Sequence, residues 1–207
     1  IIPLPLKKGG TRSAILQLVR TRVEDKTDFL LSGLSDNIAN ALFEEMSDMQ
    51  GDEKLQRHFN IMRAVKKGKS QYRSKFEHLG ERLWATLPKG MDESHILCPA
   101  GDVVELIDRF SDRTANHYKV LIQETCYRFQ TLCKRIIDRH PLCPDVYYRS
   151  FWHAIAALDL NYEERCLVLV LFHRFVMDRY GQILAVANAT LIELKIDTTI
   201  HLPTSSQ

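Results

Sequence analysis

Apolar positions recur at helical spacing along almost the whole chain, and no segment of any length alternates with period two. Ile15, Leu16, Val19, Val23 and Leu30 share one face of a helix expected from about Ser13 to Leu31. Ser35-Asp36-Asn37 has N-cap chemistry and predicts a second helix carrying Ile38, Ala41, Leu42, Phe43 and Met46. After Gly51-Asp52, the stripe Leu55, Phe59, Met62, Val65, Tyr72, Phe76, Leu79 and Leu83 predicts a long helix from about Glu53 to Trp84. Gly68 falls where one apolar contact of that stripe is missing. A glycine inside a helix costs about 1 kcal/mol relative to alanine, so a kink or break is expected there.

Asp102 opens a helical region running to about His140, either one helix or two broken near Ser111-Asp112. Pro141 and Pro144 end it, because proline removes a donor and clashes with the preceding turn. Asp145 is expected to cap a helix through about Ala157. Asn161 caps the last one, with Glu163-Glu164 in the first turn where the helix dipole favours acids. That helix continues to Gly181 and on toward Leu194. The pattern predicts an all-α protein, an irregular bundle of six to eight helices with one or two very long helices. Residues 1–12 read as an extended arm, 13–196 as the bundle and 197–207 as a loose tail. Pro88, Gly90 and Pro99 mark 86–100 as a linker between subdomains 13–85 and 101–196. One domain is the expectation, since each half alone has a thin core.

Composition adds little to this picture. The chain has 207 residues, 45% apolar and 26% charged, which excludes a collagenous, low-complexity or wholly disordered protein. A net charge of +2 does not announce a nucleic-acid binder. Five cysteines without C-x-x-C spacing fit a reducing cytoplasm, with Cys126 and Cys133 on one helix face as small buried residues. Ile1-Ile2-Pro3-Leu4-Pro5-Leu6 is too short and too broken by proline for a secretory signal. A first residue other than Met suggests a piece of a longer protein whose other parts carry an activity. The most apolar run, Cys166 to Phe172, is far shorter than the roughly 20 residues that span a bilayer.

Two stretches carry a family resemblance. The first is Ala41-Leu42-Phe43-Glu44-Glu45-Met46, followed by Arg57-His58-Phe59-Asn60-Ile61-Met62-Arg63 and Phe76. The second is His140-Pro141-Leu142-Cys143-Pro144, then Phe151, Leu158-Asp159-Leu160, Arg165, Phe172, Asn188 and Leu191. In this order they resemble a bacterial family known as domain of unknown function 1631, across most of residues 35–195. His140 stands where the family usually has Asn, and Met46 where it has a small residue. The resemblance implies a bacterial, intracellular chain, often longer than this one. It also implies regulation, since some members carry a cyclic-di-GMP receptor domain. The label thymidine phosphorylase, given to some members, has no support here. Such an enzyme needs a phosphate-binding glycine-rich loop on an α/β scaffold, and the chain has neither G-x-G-x-x-G nor a strand before it.

Arg63, Lys66, Lys67, Lys69, Arg73 and Lys75 form a run of cations without an acid, opposite the Met62–Val65–Tyr72–Phe76 stripe. Such a strip neutralises phosphates of nucleic acid or a cyclic dinucleotide, or steers acidic partners. The plainer reading is a solvated helix face paired with acids elsewhere, such as Glu44, Glu45 and Asp48. Only Tyr72 interleaves with the cations, which argues against a base-stacking platform. Arg109/Arg113 and Arg135/Arg139 have R-x-x-x-R spacing but lack a companion D/N-x-S-x-x-G, so pairing with Asp112 and Asp138 is expected. The eight histidines make no H-E-x-x-H and no recurring bundle metal motif, and no G-x-S-x-G marks a nucleophile. Neither a cofactor nor a metal is expected. Trp84, Phe151 and Trp152 are candidate anchors of a partner groove, because aromatic residues dominate interface hot spots. The functional expectation is a noncatalytic, cytoplasmic module of a regulatory or scaffolding protein, with another protein as partner and self-association open. The alternative is an anionic-ligand receptor using the strip 63–75.

Overall fold

The computed structural model describes residues 8–46, 52–91 and 99–198. They form eight α-helices: α1 (Lys8–Met46), α2 (Asp52–Lys67), α3 (Lys69–Thr86), α4 (Val103–His117), α5 (Lys119–Cys133), α6 (Pro144–Ile155), α7 (Tyr162–Phe175) and α8 (Tyr180–Glu193). A single 3-10 turn, Met177–Arg179, joins the last two, and no strand occurs among the described residues. The all-α expectation is met. The extended arm is corrected, since α1 already begins at Lys8; residues 1–7 lie outside the described residues.

The two expected N-terminal helices are one continuous helix of 39 residues. The polar triplet at 35–37 does not stop it, because Ser35 and Asn37 turn back onto the preceding helical turn instead of capping a new helix. Ser35 donates to the Leu31 carbonyl and shares a 2.5 Å hydrogen bond with Tyr72 of α3, while Asn37 donates to the Gly33 carbonyl. The long helical stretch expected from 53 to 84 breaks at Gly68, as expected, into α2 and α3. The region 102–140 does hold two helices, but they part at Tyr118 rather than at Ser111-Asp112.

Asn161 caps α7 as expected. Its side chain accepts from the Glu164 amide, and the Glu164 carboxylate accepts from the Asn161 amide. α6 starts two residues earlier than expected, with Cys143 at the cap position, Pro144 in its first turn and Asp145 following it inside the helix.

Helix α1 packs along α8 and α7 and touches α2 and α3, while α6 sits between α3, α4 and α7. The main core draws on both sides of the expected linker, including Val19, Tyr72 and Trp84 from one side and Phe129, Phe151 and Leu184 from the other. At its centre Phe151 and Phe172 stack at 3.9 Å, and Phe76 meets both edge-on. The apolar run of α7 is central, with Val168, Leu169, Leu171 and Phe172 all buried. Residues 92–98 of the linker and 199–207 of the tail lie outside the described residues.

Candidate functional site

The cations of the strip lie where α2 passes into α3, and α3 runs antiparallel to α1. Three ion pairs join the two helices like rungs: Arg20–Glu81, Asp28–Arg73 and Asp36–Lys69. Along α1 the rungs are eight residues apart, or about 12 Å at the helical rise. Between them opens a cleft of about 680 Å³. Its α1 wall is acidic, with Glu24, Asp25 and Asp28; its other wall carries Lys66, Lys67, Lys69 and Arg73. Glu77 of α3 adds a fourth acid, and Phe76, Tyr147 and Ser150 contribute to the floor.

The strip is therefore divided. Lys69 and Arg73 are engaged with acids of α1, Asp36 and Asp28; of the expected partners Glu44 pairs with Arg174, and the side chains of Glu45 and Asp48 lie outside the described part. Arg63, Lys66, Lys67 and Lys75 are exposed and take part in no ion pair among the described residues. Only Lys66 and Lys67 of these four line the cleft. Glu24 is partly buried, and that burial raises its pKa even though Arg20 donates to it at 2.7 Å.

The expected aromatic anchors are corrected. Phe151 is fully buried in the stack with Phe172, and Trp152 is buried between the edge of Tyr162 and the guanidinium of Arg165. Trp84 packs edge-on against Phe129 and shows only its rim to the cleft. These rings are buried and hold the bundle together, and of the three Trp84 lines the cleft.

Exposed apolar surface lies elsewhere. Phe29 of α1 is 67% exposed and Ile192 of α8 56%. A shallow crevice between the two helices is lined by Arg22, Asp25, Lys26, Phe29, Val186, Ala189 and Thr190. From Tyr180 to Ile192, α8 contains no Asp, Glu, Lys or Arg, so its exposed Ala185 and Ala189 make a smooth, uncharged strip. Arg22 anchors the rim by bonding Glu193 at 2.6 Å and Thr190 at 3.2 Å. Sequence periodicity missed Phe29 because it took only the inward face of α1 as informative.

Several histidines and cysteines sit in buried hydrogen-bonded groups. Tyr148 bonds the His173 Nδ1 at 2.5 Å and Thr114 at 3.1 Å, and Phe110 stacks flat on the His173 ring. Burial lowers the His173 pKa. At the 140–143 turn, His140 is fully buried and its pKa is pushed down to about 4, while burial pushes the Cys143 thiol up. An activated thiolate–imidazolium pair requires the opposite shifts. Arg139 pairs with Asp145 rather than the expected Asp138. No group of three His, Cys, Asp or Glu side chains suited to a metal occurs among the described residues, and no helix there is long and apolar enough to cross a membrane.

Residues 102–195 match the family model for the N-terminal domain of DUF1631, a protein of unknown function. The second motif group, from His140 to Leu191, lies inside that span; the first, from Ala41 to Phe76, precedes it. No curated protein and no solved structure matches the chain.

Proposed function

On the premise that residues 102–195 form a DUF1631 N-terminal domain, we propose that this chain is a noncatalytic helical interaction module of a bacterial regulatory or scaffolding protein, working in the cytoplasm. Its partner is another protein, and the docking surface is the crevice between α1 and α8. The observation that carries this reading is Phe29, a large ring left 67% exposed beside a charge-free helix face. The rim carries both signs, Arg22 and Lys26 against Asp25 and Glu193, which suits an amphipathic helix with mixed charges flanking its apolar stripe. The Tyr148–His173 and His140–Cys143 groups support the noncatalytic part, because Tyr148 bonds the His173 Nδ1, the Leu142 amide bonds the His140 Nδ1, and burial lowers the pKa of both rings.

A second reading rests on Arg63, Lys66, Lys67 and Lys75, which are exposed cations outside any ion pair among the described residues. It makes the chain a receptor for nucleic acid or a cyclic dinucleotide. Nuclease-treated affinity capture from the native bacterium separates the two, using the unmodified chain, Phe29→Glu and Lys66→Glu/Lys67→Glu. A protein partner lost only with Phe29→Glu supports the crevice. A nucleotide lost only with the lysine variant, in a complex that weakens steeply with salt, supports the receptor and overturns the first reading.

A further inference from the structure

The cleft between α1 and α3 poses a chemical problem that only one class of small ligand solves. Its volume of about 680 Å³ falls within the range of ligand pockets, roughly 300–1,000 Å³. Glu24, Asp25 and Asp28 face it from one side, and Lys66, Lys67, Lys69 and Arg73 outnumber the single acid Glu77 on the other. An anion drawn to the basic wall is repelled by the acidic wall across the same cleft, and a cation meets the reverse. A neutral apolar ligand strips water from both walls and returns no partner to either. A ligand with a positive and a negative group at opposite ends leaves neither wall unpaired.

We infer that the α1–α3 cleft is a binding site for a small zwitterion of the amino-acid or short-peptide class, held by its anion on the basic wall and its ammonium on the acidic wall. The Asp28–Arg73 rung crosses the cleft and is the pair that the ligand exchanges with. The ligand's carboxylate takes Arg73 and its ammonium takes Asp28, so one ion pair gives way to two without leaving a charge orphaned. Lys66 and Lys67, bound to no acid among the described residues, are open to receive the anionic end. The floor is polar enough to meet a peptide backbone, with the Ser150 side chain and the Thr27–Tyr147 hydroxyl pair at 3.1 Å. This site shares only Asp25 with the α1–α8 crevice, and the Asp28–Arg73 pair that tests it lies outside the crevice.

Three matched probes test the inference on the full chain: triglycine, N-acetyl-triglycine, which lacks the ammonium, and triglycinamide, which lacks the carboxylate. Binding is read from amide chemical shifts of α1 and α3 during titration. Triglycine is expected to shift resonances around Asp28 and Arg73 saturably, with each capped probe binding at least about tenfold more weakly. Asp28→Asn and Arg73→Gln should each weaken triglycine by about tenfold. The Asp28–Arg73 pair is partly open to solvent at the cleft, so both variants should keep the helical circular dichroism of the parent. Equal binding of N-acetyl-triglycine and triglycine would convert the site into a plain anion receptor and overturn the inference. So would no saturable response to millimolar triglycine, or folded variants that bind it unchanged.

Discussion

Leu158 packs its terminal methyl into the space that a Cβ on Gly68 would need. This contact joins the break between α2 and α3 to the Leu158-Asp159-Leu160 segment that follows α6, and Gly68 is where the helical stripe skips one contact. Alanine would ordinarily gain about 1 kcal/mol over glycine in a helix, but here it collides with Leu158 and crowds the Ala64 carbonyl. Gly68→Ala is therefore expected to destabilise the fold, by about 1–3 kcal/mol in urea unfolding. Gly68→Ala combined with Leu158→Ala should cost less than the sum of the single changes. A Gly68→Ala protein as stable as the parent would contradict the close approach.

Phe151 belongs to the fold and not to a partner surface. Phe151→Ala removes the stacked partner of Phe172 and the edge contacts to Tyr72 and Phe76. The expected loss is about 3–5 kcal/mol, seen as a large drop in Tm. Phe29→Glu, on an exposed ring, should move Tm by little. A reversed order would return Phe151 to the surface.

His140 makes the protein acid-sensitive. Its Nδ1 accepts the Leu142 amide at 3.2 Å, which requires the neutral ring. The folded pKa of about 4 lies below the ordinary 6.5, so between these values the unfolded chain binds the extra proton. Stability from this group is fully present above about pH 6.5 and falls as pH drops toward 4, by up to about 3 kcal/mol. His153 and His173, whose pKa values are also lowered by burial, add to the loss in the same direction. An asparagine, usual at position 140 in the family the chain resembles, offers an amide oxygen to the same Leu142 amide and does not titrate. Urea melts at pH 7.5 and 4.5 should show a smaller pH penalty for His140→Asn than for the parent; an equal penalty would place the acid sensitivity elsewhere.

Asn188 of α8 ties α5 to the core. Its Oδ1 accepts from buried Arg128 at 2.8 Å, and its Nδ2 donates to Thr125 at 2.9 Å. Asn188→Ala strips a hydrogen-bond partner from a buried guanidinium and should cost about 2–3 kcal/mol. Arg128→Met together with Asn188→Leu replaces both partners by apolar groups and should recover much of that loss. Hydrogen exchange along α5 and α8 reads the difference, and equal protection in both variants would show that the pair contributes little.

The sequence by itself determined the class of fold, much of the core-facing pattern and several of the signals that end the helices. Phe43 and Phe59 of the expected apolar faces are exposed, however, and the helix expected to run past Gly181 is parted between α7 and α8. Periodicity is a property of neighbours three and four residues apart, and the local chemistry of Asn161-x-x-Glu164 closes a cap without help from the rest of the chain. The same local reading marked Gly68 as a break but could not supply Leu158, ninety residues away, as the reason for it.

Tertiary structure decided the rest. Ser35 looked like a helix start because its hydroxyl can cap. Tyr72 of α3 gave that hydroxyl a different partner, and α1 ran on unbroken. Trp84, Phe151 and Trp152 looked available because aromatic character is visible in a sequence and burial is not. The basic run was legible as six cations, yet its character as one wall of a cleft depended on Asp28 and Asp36 being brought opposite by the antiparallel course of α1. Charge balance across a gap is set by chain segments distant in sequence, so no local pattern contains it.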